Sequence, residues 1–353
     1  SKLTNVIESK KGNNCWPSTG CAIKETAQVL LAKDRINENT DSIEAWLLSK
    51  QAPSAELSWF LQIDINQRVQ SVCTINVRNS SSQVTVRTDM TLSGNPGSCL
   101  SISPSGFWLK VNNNCLDDTF RVSCDQDFIT SLLYQRQGSQ TIFVSPSANS
   151  ASSLGATEEK INSKCFKTGN SCDYEGTLWA ALAIDKVSED PKPYLPYLLA
   201  LAPENKRFFP NTFLYALTTG DDQYSEIIQA QQQGKYWQAP NTAYDRFYDT
   251  SLALFSLQST SAQEVESAKS YLTSIQTPQG CWNSNNIRDT AFILYSGWPR
   301  DQVETSGTSP SASCTAAGYF CVSGVFACAG TVLNNYDCPG FGQRCCNSPP
   351  AQL

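Results

Sequence analysis

The stretch QTPQGCWNSNNIRDTAFILYSGW, Gln276 to Trp298, decides how the rest of the chain is read. It closes one amphipathic segment at Gln276, turns at Gly280 beside an aromatic residue, and opens a second segment on Asp289-Thr290 that is apolar on nearly every side. A glycine at a turn, an acidic residue in a first helical turn and an unbroken apolar run predict an outer helix, a tight turn and a buried inner helix.

The same start recurs along the chain. Glu25-Thr26, Asp249-Thr250 and Asp289-Thr290 each lead into an apolar run; Glu175-Gly176-Thr177 is a looser copy and Asn211-Thr212 a degenerate one. Amphipathic segments at 40–51, 192–202, 222–237 and 261–276 lie between them, and Gly234-Lys235-Tyr236-Trp237 repeats the turn of Gly280-Cys281-Trp282. Buried helices alternating with amphipathic ones predict stacked helical hairpins.

In these Gly-aromatic turns and acidic-Thr helix starts the chain resembles the α/α-toroid proteins: squalene and terpene cyclases, prenyltransferase β-subunits, complement-type thioester domains and cobalamin carriers. The resemblance covers residues 13–51 and 165–299, and extends to uncharacterised secreted microbial members without a functional match. It implies a mainly α fold, a toroid of helical hairpins. The chemistry of those families does not carry over. Asp117-Asp118 and Asp221-Asp222 lack the third acid of a protonating Asp-x-Asp-Asp run, and a zinc site of Asp, Cys and His cannot be built without histidine. Neither Gly20-Cys21-Ala22 nor Gly280-Cys281-Trp282 reproduces a thioester Gly-Cys-Gly-Glu-Gln.

Between residues 56 and 144 the hydrophobic period falls to two, as in Leu57 to Ile65 and Ser71 to Val77, with turns at Asn95-Pro96-Gly97 and Asn112-Asn113-Asn114. That pattern predicts an inserted antiparallel β-domain. Within it 124–136 reads as a helix and 140–145 as a strand; the Ser-rich 145–156 reads as a return linker, and 157–166 as the restart of the helical layer. The expected layout is an N-terminal segment with the first toroid hairpin (1–55), a β-domain (56–155), the remaining toroid (156–303), a linker (304–313) and a cysteine-rich module (314–353).

Of the chain's 353 residues 15 are cysteine and none is histidine. So many cysteines, without zinc-ribbon spacing, point to disulfides in an oxidising compartment, and so to an extracellular or cell-surface protein. The start at Ser1 fits a processed product. The absence of histidine removes Ser-His-Asp and Cys-His catalysis and His-ligated metals, and no cofactor motif is present. A net charge of −6 without basic clusters argues against nucleic acid, and no apolar run is long enough for a membrane span.

Fourteen cysteines are expected in disulfides: Cys15, Cys21, Cys73, Cys99, Cys115, Cys124, Cys165, Cys172, Cys314, Cys321, Cys328, Cys338, Cys345 and Cys346. Short loops would follow from Cys15/Cys21, Cys115/Cys124 and Cys165/Cys172; a Cys15–Cys281 clasp is an alternative, and the choice stays open. Because the total is odd, Cys281 is the candidate for an unpaired or interchain thiol. Asn79 heads a glycosylation sequon, Asn79-Ser80-Ser81.

Candidate catalytic groups are the acids that open the inner helices, Glu25, Glu175, Asp249 and Asp289, with Arg288, Arg246 and Tyr248 beside them. Converging carboxylates would suit general acid/base work on glycans. Capping explains them equally in chemistry and better in number, since a cap recurs once per repeat and a catalytic pair does not. A mouth lined by Trp16, Trp179, Tyr215, Tyr248 and Trp282 would suit a sugar or a hydrophobic ligand, although aromatics at helical spacing more often fill a core. The sequence thus predicts a non-catalytic structural protein acting in self-assembly, as a filament or surface layer, or in adhesion, with itself as the expected partner. A glycan-binding or glycan-cleaving protein is the alternative.

Overall fold

The computed structural model describes residues 7–187, 189–299, 312–323, 328–333, 336–338 and 343–349. The chain divides into two compact units, Pro53–Lys164 and the combination of Ser1–Ala52 with Cys165–Leu353.

The unit Pro53–Lys164 holds two five-stranded antiparallel sheets. One has the order β10-β9-β2-β7-β6, built from β2 (Leu57–Ile65), β6 (Leu100–Ile102), β7 (Leu109–Val111), β9 (Phe128–Arg136) and β10 (Phe143–Ala151). The other runs β11-β8-β3-β4-β5, from β3 (Ser71–Val77), β4 (Ser80–Val86), β5 (Leu92–Asn95), β8 (Thr119–Cys124) and β11 (Thr157–Lys160). Alternation explains the burial: Cys73, Ile75 and Val77 of β3 and Phe120, Val122 and Cys124 of β8 are inside, and the residues between them are not. Thr130 of β9 donates to Glu159 of β11 at 2.7 Å, a buried polar bond from one sheet to the other. Cys73 and Cys124, opposed in register, form a disulfide, and Cys99–Cys115 forms a second.

Three expectations here are corrected. Residues 124–136 are not a helix: Phe128, Thr130 and Leu132 point inward and Ile129 and Ser131 do not, and β9 pairs with β2 along its whole length. The Ser-rich 145–156 is mostly strand β10, whose small polar residues carry no apolar face and are held by backbone bonds to β9, with a register shift between Val144 and Ala148. Residues 157–166 do not restart a helix but form β11 and the start of β12 (Lys164–Thr168). Hydrophobic periodicity cannot see an exposed edge strand.

The second unit carries helices α1 (Ile23–Asp34), α2 (Asp41–Leu48), α3 (Tyr174–Lys186), α4 (Leu195–Leu201), α5 (Pro210–Thr218), α6 (Asp221–Gln229), α7 (Arg246–Ser256), α8 (Gln263–Ser274) and α9 (Ile287–Gly297). A three-stranded sheet joins β1 (Gln51–Pro53), β12 and β13 (Ser171–Cys172). The apolar helices pack in sequence, α1 on α3, α3 on α5, α5 on α7 and α7 on α9. Helix α3, buried at Tyr174 and from Gly176 through Asp185, is the core. Towards the C-terminus β15 (Phe320–Ser323) pairs with β17 (Gln343–Cys346), and β14 (Ala312–Ser313) with β16 (Tyr336–Asp337). Disulfides Cys314–Cys345, Cys321–Cys338 and Cys328–Cys346 hold this disulfide-rich end. The expected linker 304–313 falls almost wholly outside the described residues.

The chain is therefore not mainly α and not an α/α toroid. It is a mixed α/β protein, 34% helix and 27% strand in several sheets, with a β-rich N-terminal half. The recurrent motif misled because its cause is local: it fixes how a loop docks onto a helix, and that docking does not dictate how the helices are arranged.

Candidate functional site

Four inner helices begin with the same threonine contact. The hydroxyls of Thr26, Thr177, Thr250 and Thr290 accept from the backbone N–H of Trp16, Phe166, Trp237 and Trp282, each at 3.0 Å. In the three copies with tryptophan, the indole N–H donates at 2.7 Å to a carbonyl ten or nine residues back, Ile7, Ile227 or Leu272. The loop before each helix is thus stapled to the helix ahead and, where tryptophan is present, to the segment behind. Gly234 and Gly280, at φ of +62° and +80°, allow the tight approach to Trp237 and Trp282. Trp16 and Trp282 are buried as staples and do not line a mouth.

Aligning the repeats on these threonines shows what converges. Two residues before each stand Lys24, Glu175, Tyr248 and Arg288, and these meet through the N-terminal turns of α1, α3, α7 and α9. Lys24 Nζ is 2.8 Å from Glu175 Oε1, and the Tyr244 hydroxyl hydrogen-bonds both, accepting from Lys24 and donating to Glu175. The Tyr244 and Tyr248 rings lie against each other, tilted by 31°, with centroids 4.1 Å apart. Lys24 lies 4.1 Å from the Tyr244 centroid, and Arg288 lies 5.6 and 5.2 Å from those of Tyr244 and Tyr248. Arg288 in turn pairs with Asp245 at 3.2 Å and Asp289 at 2.6 Å, and Asn283 donates to both carboxylates. Asp245 also caps α7, accepting from the Phe247 and Tyr248 N–H groups.

Each cation of this cluster is paired, Lys24 with Glu175 and Arg288 with Asp245 and Asp289. Burial, with the hydrogen bond to Glu175, pushes the Tyr244 phenol far above its usual range, and burial does the same to Tyr248. Both phenols are therefore neutral near pH 7 and are not bases. Oε1 of Glu175 is held by a cation and a phenol.

The other acids stand one residue before the threonine, and there the chemistry is structural. Asp249, fully buried, accepts from the Ala239 N–H at 2.9 Å; burial pushes its carboxyl up to about 6. Asp289, equally buried, holds Asn283 and Arg288. Glu25 is exposed. Trp179 packs against Phe213 and Phe292, Tyr215 against Tyr224, and Arg246 lies over Tyr236 and Phe247. The reading from sequence missed Lys24, Tyr244, Asp245 and Asn283. The first was visible in the register of the threonines, and the others sit in loops without a repeat signal.

Cys15–Cys21 and Cys165–Cys172 are bonded, whereas Cys115 pairs with Cys99 and Cys124 with Cys73, so neither a Cys115–Cys124 loop nor a Cys15–Cys281 clasp exists. Cys281 is free and half-buried. Cys99, Cys115 and Asp118, and Cys314, Cys321 and Cys338, lie at ligand-like spacing, but all five sulfurs are in disulfides and supply no thiolate. Asn79 is exposed in the turn joining β3 to β4. Comparison with protein-family models, curated proteins and solved structures finds no match for the chain.

Proposed function

We propose that this is an extracellular, disulfide-braced scaffold that works by contact, through self-association into a filament or surface layer or through adhesion, and not by catalysis. The observation that carries this reading is the closed cluster at the helix starts: Lys24 with Glu175 and Tyr244, Arg288 with Asp245 and Asp289. An active site needs acids and bases poised near the working pH and open to substrate. Here three of the four candidate carboxylates are engaged in holding helix starts and loops together. Seven disulfides fit an oxidising compartment, and among the described residues no helix is long and apolar enough to cross a membrane.

The test is the state of the unreduced protein across a concentration series, followed by light scattering and negative-stain microscopy, with a glycan-turnover screen on the same sample. Ordered assemblies, or attachment to a cell surface without turnover, are the expected results. A monomer that cleaves a glycan, and stops doing so as Glu175→Gln, would overturn the proposal.

A further inference from the structure

A cleft of about 580 Å³ opens in the helical unit, lined by none of the charged residues of the cluster at the helix starts. Its walls carry Trp46 and Ser49 at the end of α2, Lys50 just beyond, and Lys167 and Thr168 at the end of β12, with the Cys15–Cys21 disulfide and Asn13 on the remaining side. No lining residue is acidic, although the chain has net charge −6. The backbones of the two lysines are hydrogen-bonded, Lys167 N–H to the Lys50 carbonyl at 2.9 Å, and neither ammonium has a carboxylate partner among the described residues. Like charges set side by side on neighbouring backbone are destabilising without a counter-charge.

We infer that the cleft binds an anionic sugar, carboxylated or sulfated, with the ring on the Trp46 face and the acid group between Lys50 and Lys167. Volume and lining fit a ligand pocket: one aromatic wall and a few convergent polar groups. Lys50 Nζ lies over the Trp46 ring, 5.1 Å from its centroid, so a ligand that takes its place on the indole keeps its charge within reach of the ammonium. The Ser49 hydroxyl already donates to the Trp46 carbonyl at 2.6 Å and the Thr168 hydroxyl to Asp173 at 3.1 Å. Both oxygens are left as acceptors, which suits a ligand rich in hydroxyl donors. The walls are preorganised, since short disulfide loops close one side at Cys15–Cys21 and the β12–β13 hairpin at Cys165–Cys172. The inference goes beyond the scaffold reading and does not depend on assembly.

The experiment is calorimetric titration of the intact protein with an oligouronate, with dextran sulfate, with neutral dextran and with inorganic polyphosphate. At least one acidic saccharide should bind at least about tenfold tighter than neutral dextran, and Trp46→Ala and the double variant Lys50→Gln/Lys167→Gln should each weaken it about tenfold. The uronate and sulfate arms separate the two sources of the charge. Ser49→Trp, which fills the cleft without removing a core side chain, should abolish binding with the thermal unfolding of the wild type, and so covers the case in which Trp46→Ala unfolds. Binding by none of the four, equal binding of neutral dextran, or binding that Ser49→Trp leaves intact would overturn the inference. So would polyphosphate binding as tightly as the acidic saccharides, because charge alone would then suffice. A monomer with an occupied cleft would sink the self-association reading and leave this one standing.

Discussion

Thr250→Val keeps the side chain's shape and removes its hydroxyl. The Trp237 N–H then loses its acceptor at 3.0 Å, in a site where both residues are almost wholly buried. A buried N–H left unpaired costs about 1–3 kcal/mol. For a unit of this size about 2 kcal/mol corresponds to roughly 4–8 °C in Tm. The assay is denaturant unfolding with the disulfides intact, followed by tryptophan fluorescence and checked by calorimetry. Thr250→Ser restores the hydroxyl and should fall within about 1 kcal/mol of wild type. Thr273→Val is the control: its exposed hydroxyl bonds only the Lys269 carbonyl of its own helix, and its loss should cost no more than about 0.5 kcal/mol. Trp237→Phe removes the other half of the staple, the indole bond to the Ile227 carbonyl at 2.7 Å, and should couple with Thr250→Val by about 0.5 kcal/mol or more. If Thr250→Val proved as mild as Thr273→Val, the staple would not be what holds the loop, and the physical reading of the repeat would fail.

Three further outcomes are expected. Asp249 has its folded pKa raised to about 6, so the folded state keeps a proton that the unfolded chain has already lost; stability is greatest below the ordinary carboxylate range and falls as pH rises through 6. Asp249→Asn should flatten that fall by at most about 3 kcal/mol in unfolding curves from pH 4 to 8; Asp185, raised to about 7 by burial, adds in the same direction, and a rise in stability over that range would contradict both. Removing Cys73–Cys124 as a double alanine variant opens a link across 51 residues and should destabilise the Pro53–Lys164 unit by about 4 kcal/mol, read from its own unfolding transition. Alkylation of the native, unreduced protein should add one adduct by mass, at Cys281, and labelling at any other cysteine would refute the disulfide pattern.

Much of the local structure was legible in the residues. Amphipathic and apolar periods located the segments that became α2, α4, α6 and α8 between α1, α3, α5, α7 and α9; α3, α5 and α7 are buried along most of their length as expected, whereas α1 is buried on one face and α9 leaves Ile287 and Leu294 exposed. Alternation located β2 and β3. It failed at β9, where a helix was read, and at β10, where Ser and Asn dominate. In both cases the strand is decided by a partner: β9 is paired along its length with β2, and β10 is held at the edge by β9. At the candidate site, the sequence reading named Glu175, Tyr248 and Arg288 of the converging set together with the acids beside the threonines, but it missed Lys24 and did not separate the set that stands two residues before each threonine. A step of one residue turns a helical side chain by about 100°, which separates a group facing a loop from a group facing its neighbours' helix starts.

By itself the sequence determined the odd thiol count, the exclusion of histidine chemistry, the expectation of disulfides and the recurrent Thr–Trp unit, because each follows from residue identity or from contacts close in the chain. Only the tertiary structure decided that the chain is mixed α/β, which cysteines join, that Lys24 neutralises Glu175, and that Lys50 and Lys167 share an acid-free cleft with Trp46. Those facts join residues up to about 150 positions apart, as Lys24 and Glu175 are, and no local period or propensity constrains such a pairing until the intervening strands and helices have packed.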